Sequence, residues 1–122
     1  MISNSVIRNL IPLALLFILC DIPWLYATSS HAQSMIKKIQ GMPLEIRWGG
    51  ALPVYLALAF LVQQAASTAD AFAIGLSTYA VYDFTNYATL AKYDLSFAVA
   101  DSIWGGVLFT LVRSVAVYLN LL

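Results

Sequence analysis

The fold class predicted for this chain is all-α, an integral membrane four-helix bundle with antiparallel neighbours. Three observations predict it. Hydrophobic residues make up 61% of the 122 positions and charged residues only 10%, far less charge than a soluble surface of this size requires. Three long apolar segments and a fourth, interrupted one suit lipid as the solvent. The connections between them are short, which makes sequence neighbours antiparallel neighbours in space. One polytopic domain covers residues 1–122. Six basic residues are scattered along the chain, net charge is zero, and no basic patch suggests nucleic-acid binding.

The first span covers about 6–26, with Pro12 near its start and Asp21 and Pro23 near its end. A cleaved signal peptide would need a shorter gap between the apolar core and "SHA" at 30–32 than the one present, so a retained helix is favoured. Cys20, the single cysteine, excludes an intrachain disulfide and reads as a packing residue. Leu19 stands where a lipoprotein site would need a small residue.

The connection from 27 to 47 is polar but patterned. Ala32, Met35, Ile36 and Ile39 form one helical stripe opposite Gln33, Ser34, Lys37 and Lys38. A short interfacial helix over about 30–40 is expected, capped by Ser29 or Ser30 and ended by Gly41 and Pro43. A solvated linker is the competing reading. The second span covers about 48–64, with Pro53 placed in its first turn. The third covers about 71–90 after a turn capped by Thr68 or Asp70. Ser67, Ala71 and Gly75 recur every four residues, a spacing that lets membrane helices approach closely. The fourth covers about 95–119, with Asp94 as cap and Gly105 and Gly106 as a second close-packing pair.

Lys37, Lys38, Arg47 and Lys92 fall on the side of the first and third connections, against Arg8 and Arg113 on the other. This charge bias leans toward connections 27–47 and 91–94 facing the cytoplasm.

Three carboxylates fall inside apolar stretches: Asp21, Asp83 and Asp101. At a rise of about 1.5 Å per residue they lie roughly 8, 11 and 10 Å from the same membrane face. Tyr79, Tyr82, Thr85 and Asn86 offer donors and acceptors beside them, and the three acids are expected to form one polar layer. An aspartate near the bilayer centre costs about 2.5–3.5 kcal/mol, so such groups turn inward and find partners. The layer is either an interhelical network that fixes packing or an ion-binding, proton-binding or catalytic cluster in a cavity opening toward the first and third connections. "DIPW" at 21–24 and "DSIW" at 101–104 share a D-x-x-W spacing, a thin hint of a repeat. Trp24 reads as an interfacial anchor and Trp104 as a deeper packing residue. His31, the sole histidine, reads as a surface residue. No Cys/His metal spacing, phosphate loop or dinucleotide fingerprint is present, and no cofactor or metal is expected.

"YDFTNYATL" at 82–90, "DSIWGGVL" at 101–108 and "CDIPWL" at 20–25 resemble a family of small membrane proteins known as domain of unknown function 2177. The resemblance covers essentially the whole chain and implies four helices with a retained first helix. It carries Asp21, Trp24, Tyr82, Asp83, Thr85, Asn86, Thr89, Asp101, Trp104 and Gly105 as matched positions. Pro23, between the acid and Trp24, and the short first connection depart from the family's usual pattern. The family implies no reaction and no ligand.

The leading expectation is therefore a structural or assembly component whose Asp/Asn/Thr layer holds the helices in register. The alternative is a small proton- or ion-coupled transporter or channel subunit using Asp21, Asp83 and Asp101. A membrane-embedded acid-base enzyme comes third, so catalysis is not the favoured reading. Partners expected are the lipid bilayer and, beyond it, other membrane-protein subunits or a larger assembly such as a virion membrane.

Overall fold

The structure, a computed structural model, describes residues 2–122. All of its regular structure is α-helical: α1 (Asn4–Gln40), α2 (Trp48–Val62), α3 (Thr68–Thr89) and α4 (Leu95–Tyr118). Two of them, α1 and α4, are long and apolar enough to cross a membrane. α2 is apolar but has only 15 residues.

α1 is longer than the sequence predicts. Its 37 residues run without a break through the region expected to hold a turn and a separate interfacial helix. Ser29 and Ser30 cap nothing. The hydroxyls there turn back onto the helix: Thr28 Oγ1–H donates to the Trp24 carbonyl at 2.8 Å, and Ser29 Oγ accepts from Gln33 Nε2 at 2.8 Å. With neither Gly nor Pro between residues 24 and 40, nothing forces a stop. The stop comes at Gly41, whose φ of 75° is the left-handed turn that glycine accepts most readily, and its N–H bonds the Lys37 carbonyl. Lys37 and Lys38 in the last turn complement the negative end of the helix dipole. The resulting helix is about 56 Å long at 1.5 Å per residue, roughly twice a hydrocarbon core.

Three smaller differences concern helix starts. Ser67 is the cap of α3, its Oγ accepting the Asp70 N–H at 3.1 Å, while Asp70 accepts the Ala66 N–H. Asp94 is the cap residue of α4 by position, but its side chain makes no capping bond. α2 begins at Trp48, so Pro53 lies at its sixth residue and not in its first turn.

α1 runs antiparallel to α4 and contacts α2, while α3 packs on α4 in the most extensive helix pair. α2 meets α3 only weakly, and α1 and α3 share no backbone contact. The core runs along the middle of this arrangement through Leu13, Phe17, Leu58, Val62, Leu108 and Phe109. Phe17 and Phe109 meet edge to face with centroids 5.0 Å apart. Near the chain termini, Asn9 Nδ2 donates to the Leu121 carbonyl and Gln63 Nε2 to the Val6 carbonyl. At the opposite end a small second cluster of Met35, Tyr93 and Ala98 seats the α1 extension on the α3–α4 turn.

The outward faces are apolar. On α4, Val99, Ile103, Val107 and Leu111 recur every four residues and are exposed, while Asp101 and Ser102 are buried. Polar groups inside and aliphatic groups outside are the arrangement expected of a protein solvated by lipid.

Candidate functional site

α3 and α4 approach closely because their shared seam carries no side chains at two points. A Cβ on Gly75 would collide with the Gly105 carbonyl and lie 2.7 Å from Phe109 Cβ; one on Gly105 would lie 2.6 Å from the Gly75 carbonyl. Ala71 is fully buried in the same seam, and Gly106 receives the Phe72 ring. This approach brings Asp83 on α3 toward Asp101 on α4, near enough for the two carboxyl groups to interact.

Across α4's other side, the two D-x-x-W segments exchange partners. Trp104 Nε1–H donates to Asp21 Oδ1 at 2.8 Å, and Trp24 Nε1–H donates to Asp101 Oδ1 at 2.9 Å. The two indoles stack between the acids, centroids 5.3 Å apart and planes within 9°. An i, i+3 spacing puts acid and indole on one helix face, and antiparallel pairing then sets each acid opposite the other helix's indole. Trp24 thus donates a hydrogen bond to α4. Pro23 does not disturb this geometry, since α1 passes through it with Asp21 and Trp24 both engaged.

Two tyrosines complete the acids' partners. Tyr55 on α2 donates to Asp21 Oδ2 at 2.8 Å, so both oxygens of Asp21 are bonded. Tyr93, in the α3–α4 turn, donates to Asp83 Oδ1 at 2.7 Å. Burial, followed by its bond to Asp83, raises the Tyr93 hydroxyl far above the ordinary phenol range, so it remains a donor. Asp83 is fully buried, and its Oδ2 has no hydrogen-bond partner among the described residues.

Of the remaining matched positions, Asn86 is half-buried, whereas Tyr82, Thr85 and Thr89 are exposed. Thr89 Oγ1–H donates to the Thr85 carbonyl. Thr85 lies two residues from Asp83, about 200° around the helix, and so points away from the acids.

Asp21 and Asp101 also form part of the wall of an open cavity of about 520 Å³. Every helix contributes to it. Trp24, Thr28 and Ala32 come from α1, Val54 and Leu58 from α2, Thr78, Tyr79 and Tyr82 from α3, and Phe97 from α4; Leu44 and Tyr93 enter from the connections. The wall is aliphatic and aromatic apart from the two carboxylates and a few hydroxyls, and among the described residues no Lys, Arg or His lines it. Near the α3–α4 turn, His31 Nε2 pairs with Asp94 Oδ2 at 2.8 Å and its ring stacks on Phe97. Asp94 therefore binds His31 in place of capping its own helix. Among the described residues, no group of three or more His, Cys, Asp or Glu side chains is placed to hold a metal ion.

Sequence reasoning missed Tyr55 and Tyr93 as partners of the acids. Neither lies in a motif, and only the folded path of α2 and of the turn brings them in. No curated protein and no solved structure matches the chain. The family model described as a predicted membrane protein, DUF2177, matches residues 6–119, and the chain belongs to that family.

Proposed function

We propose that the chain is a multi-pass membrane protein crossing the bilayer four times, with residues 41–47 and 90–94 on the cytoplasmic side, and that it acts as a small carrier subunit binding a ligand in its acid-floored cavity. The observation that carries this reading is the cavity itself. At about 520 Å³ it has the size of a small-molecule site, and two intramembrane carboxylates reach its wall. Ionisable side chains within membrane-spanning helices that face a cavity are candidates for ligand or ion pathways.

A second reading, the structural or assembly component, is favoured by the reciprocal Trp–Asp exchange, which ties α1 to α4 without any ligand. Ala32→Trp separates the two. Ala32 is half-exposed on the cavity wall, so the larger ring fills the cavity without displacing buried side chains. Native mass spectrometry of protein extracted gently from its membrane should show a bound small molecule on the parent chain and none on Ala32→Trp, with thermal stability unchanged. A parent chain carrying no added mass would leave the structural reading in place.

A further inference from the structure

We infer that the cavity takes a hydrophobic organic cation, an ammonium-type or phosphonium-type group carried on an apolar body. This rests on the carrier reading above and names the ligand class of the same site. Three features select that class.

The first is charge. Two carboxylates, Asp21 and Asp101, reach the wall and no basic side chain does, so the site offers negative charge without a fixed counter-charge. Asp21 spends both oxygens on Trp104 and Tyr55, whereas Asp101 has a hydrogen bond from Trp24 to one oxygen only. Of the two carboxylates on the wall, Asp101 is thus the one with capacity left for a ligand, beside the Asp83 carboxyl. An anion placed here would meet two carboxylates and no basic side chain.

The second is the wall. Trp24, Tyr79, Tyr82, Tyr93 and Phe97 surround the space, and aromatic faces attract organic cations through their quadrupoles, more strongly where water is excluded. A small hard metal ion prefers six or more oxygen ligands, which this wall does not supply. The third is the remaining lining, Leu25, Met35, Ile36, Leu44, Val54 and Leu58, which is apolar and fits a hydrophobic body.

Tetraphenylphosphonium and tetraphenylborate make a matched probe pair, alike in shape and opposite in charge. Titrated calorimetrically into the purified protein in lipid nanodiscs, with empty nanodiscs as reference, the cation should bind saturably at one site per chain and the anion should not. Asp101→Asn, which retains an oxygen for Trp24 to bond, should weaken the cation at least tenfold. Tyr82→Leu, at an exposed position on the wall, should weaken it severalfold and keeps the test available if Asp101→Asn does not fold. Equal binding of both ions, no saturable binding of the cation, or cation affinity unchanged in the variants would overturn the inference. If the cation fails while the parent chain still carries a bound mass that Ala32→Trp removes, the carrier reading stands and the ligand class is wrong. If both fail, both fall.

Discussion

At the residue scale, the acids are held by aromatic donors. Trp24 and Trp104 each supply one N–H to a buried carboxylate, and a buried acceptor deprived of its donor costs about 1–3 kcal/mol. Trp104→Phe keeps an aromatic ring for stacking and removes the donor, together with part of the indole's contact area. It should lower stability by about that amount, read as a fall in melting temperature in detergent, and Asp21→Leu should abolish most of the difference between Trp104 and Phe in a double-mutant cycle. The spacing of the two D-x-x-W segments was legible in the sequence, because it follows from helical geometry alone, whereas the depth of Asp21 was counted from a helix end near residue 26 that the structure moves to Gln40. Tyr55 and Tyr93 were not legible, since a tyrosine's partner depends on which helices become neighbours. Thr85 was grouped with the acids by proximity along the chain, although helical rotation carries it to the other side. His31 and Asp94 form a pair whose side chains are 51% and 46% exposed. Solvent screening limits such a pair to about 0–1 kcal/mol, and His31→Ala should shift the melting temperature little.

At the element scale, the α3–α4 seam is the most constrained part of the fold. Gly75→Ala and Gly105→Ala each push a methyl group into backbone or ring atoms of the facing helix, and overpacking of this kind costs about 1–3 kcal/mol. Gly49 and Gly50 have open space around them, so alanine there should leave thermal stability unchanged. A melting series over these four glycines tests the assignment of the seam, and equal effects at all four would contradict it. The small-residue spacing on α3 and the Gly pair on α4 announced this contact in the sequence. The continuity of α1 was hidden for a physical reason. Thr28, Ser29 and Ser30 read as a linker because hydroxyl residues compete for backbone partners, but here the Thr28 and Ser29 side chains bond within the helix. The end of the helix at Gly41 was legible because a left-handed residue there is a local requirement.

At the scale of the whole molecule, polar groups lie inside and aliphatic groups outside. α3 bears the exposed Val81 on its outer face, 70% accessible. If α3 crosses the bilayer, Val81→Cys in a Cys20→Ser background should resist a membrane-impermeant maleimide in intact vesicles. It should react with that reagent once the membrane is dissolved and the chain denatured, since the thiolate that reacts does not form in hydrocarbon. Rapid labelling in intact vesicles would rule out that crossing. α2 meets α3 weakly while α1, α4 and the α3–α4 turn complete the cavity wall. A ligand held there would bridge elements that otherwise touch little, so occupancy should raise the melting temperature of the whole chain.

The exchanged Trp–Asp pairs also act as a mechanical key. Two antiparallel helices packed only through aliphatic side chains can slide past each other in small steps, losing contacts gradually. Here a slip of one helical turn, about 5.4 Å, would break both indole–carboxylate bonds and unstack the rings in a single event. The joint between α1 and α4 therefore has one seated position and no nearby second one. Any movement that opens or closes the cavity is left to α2, because α3 is locked to α4 through the glycine seam.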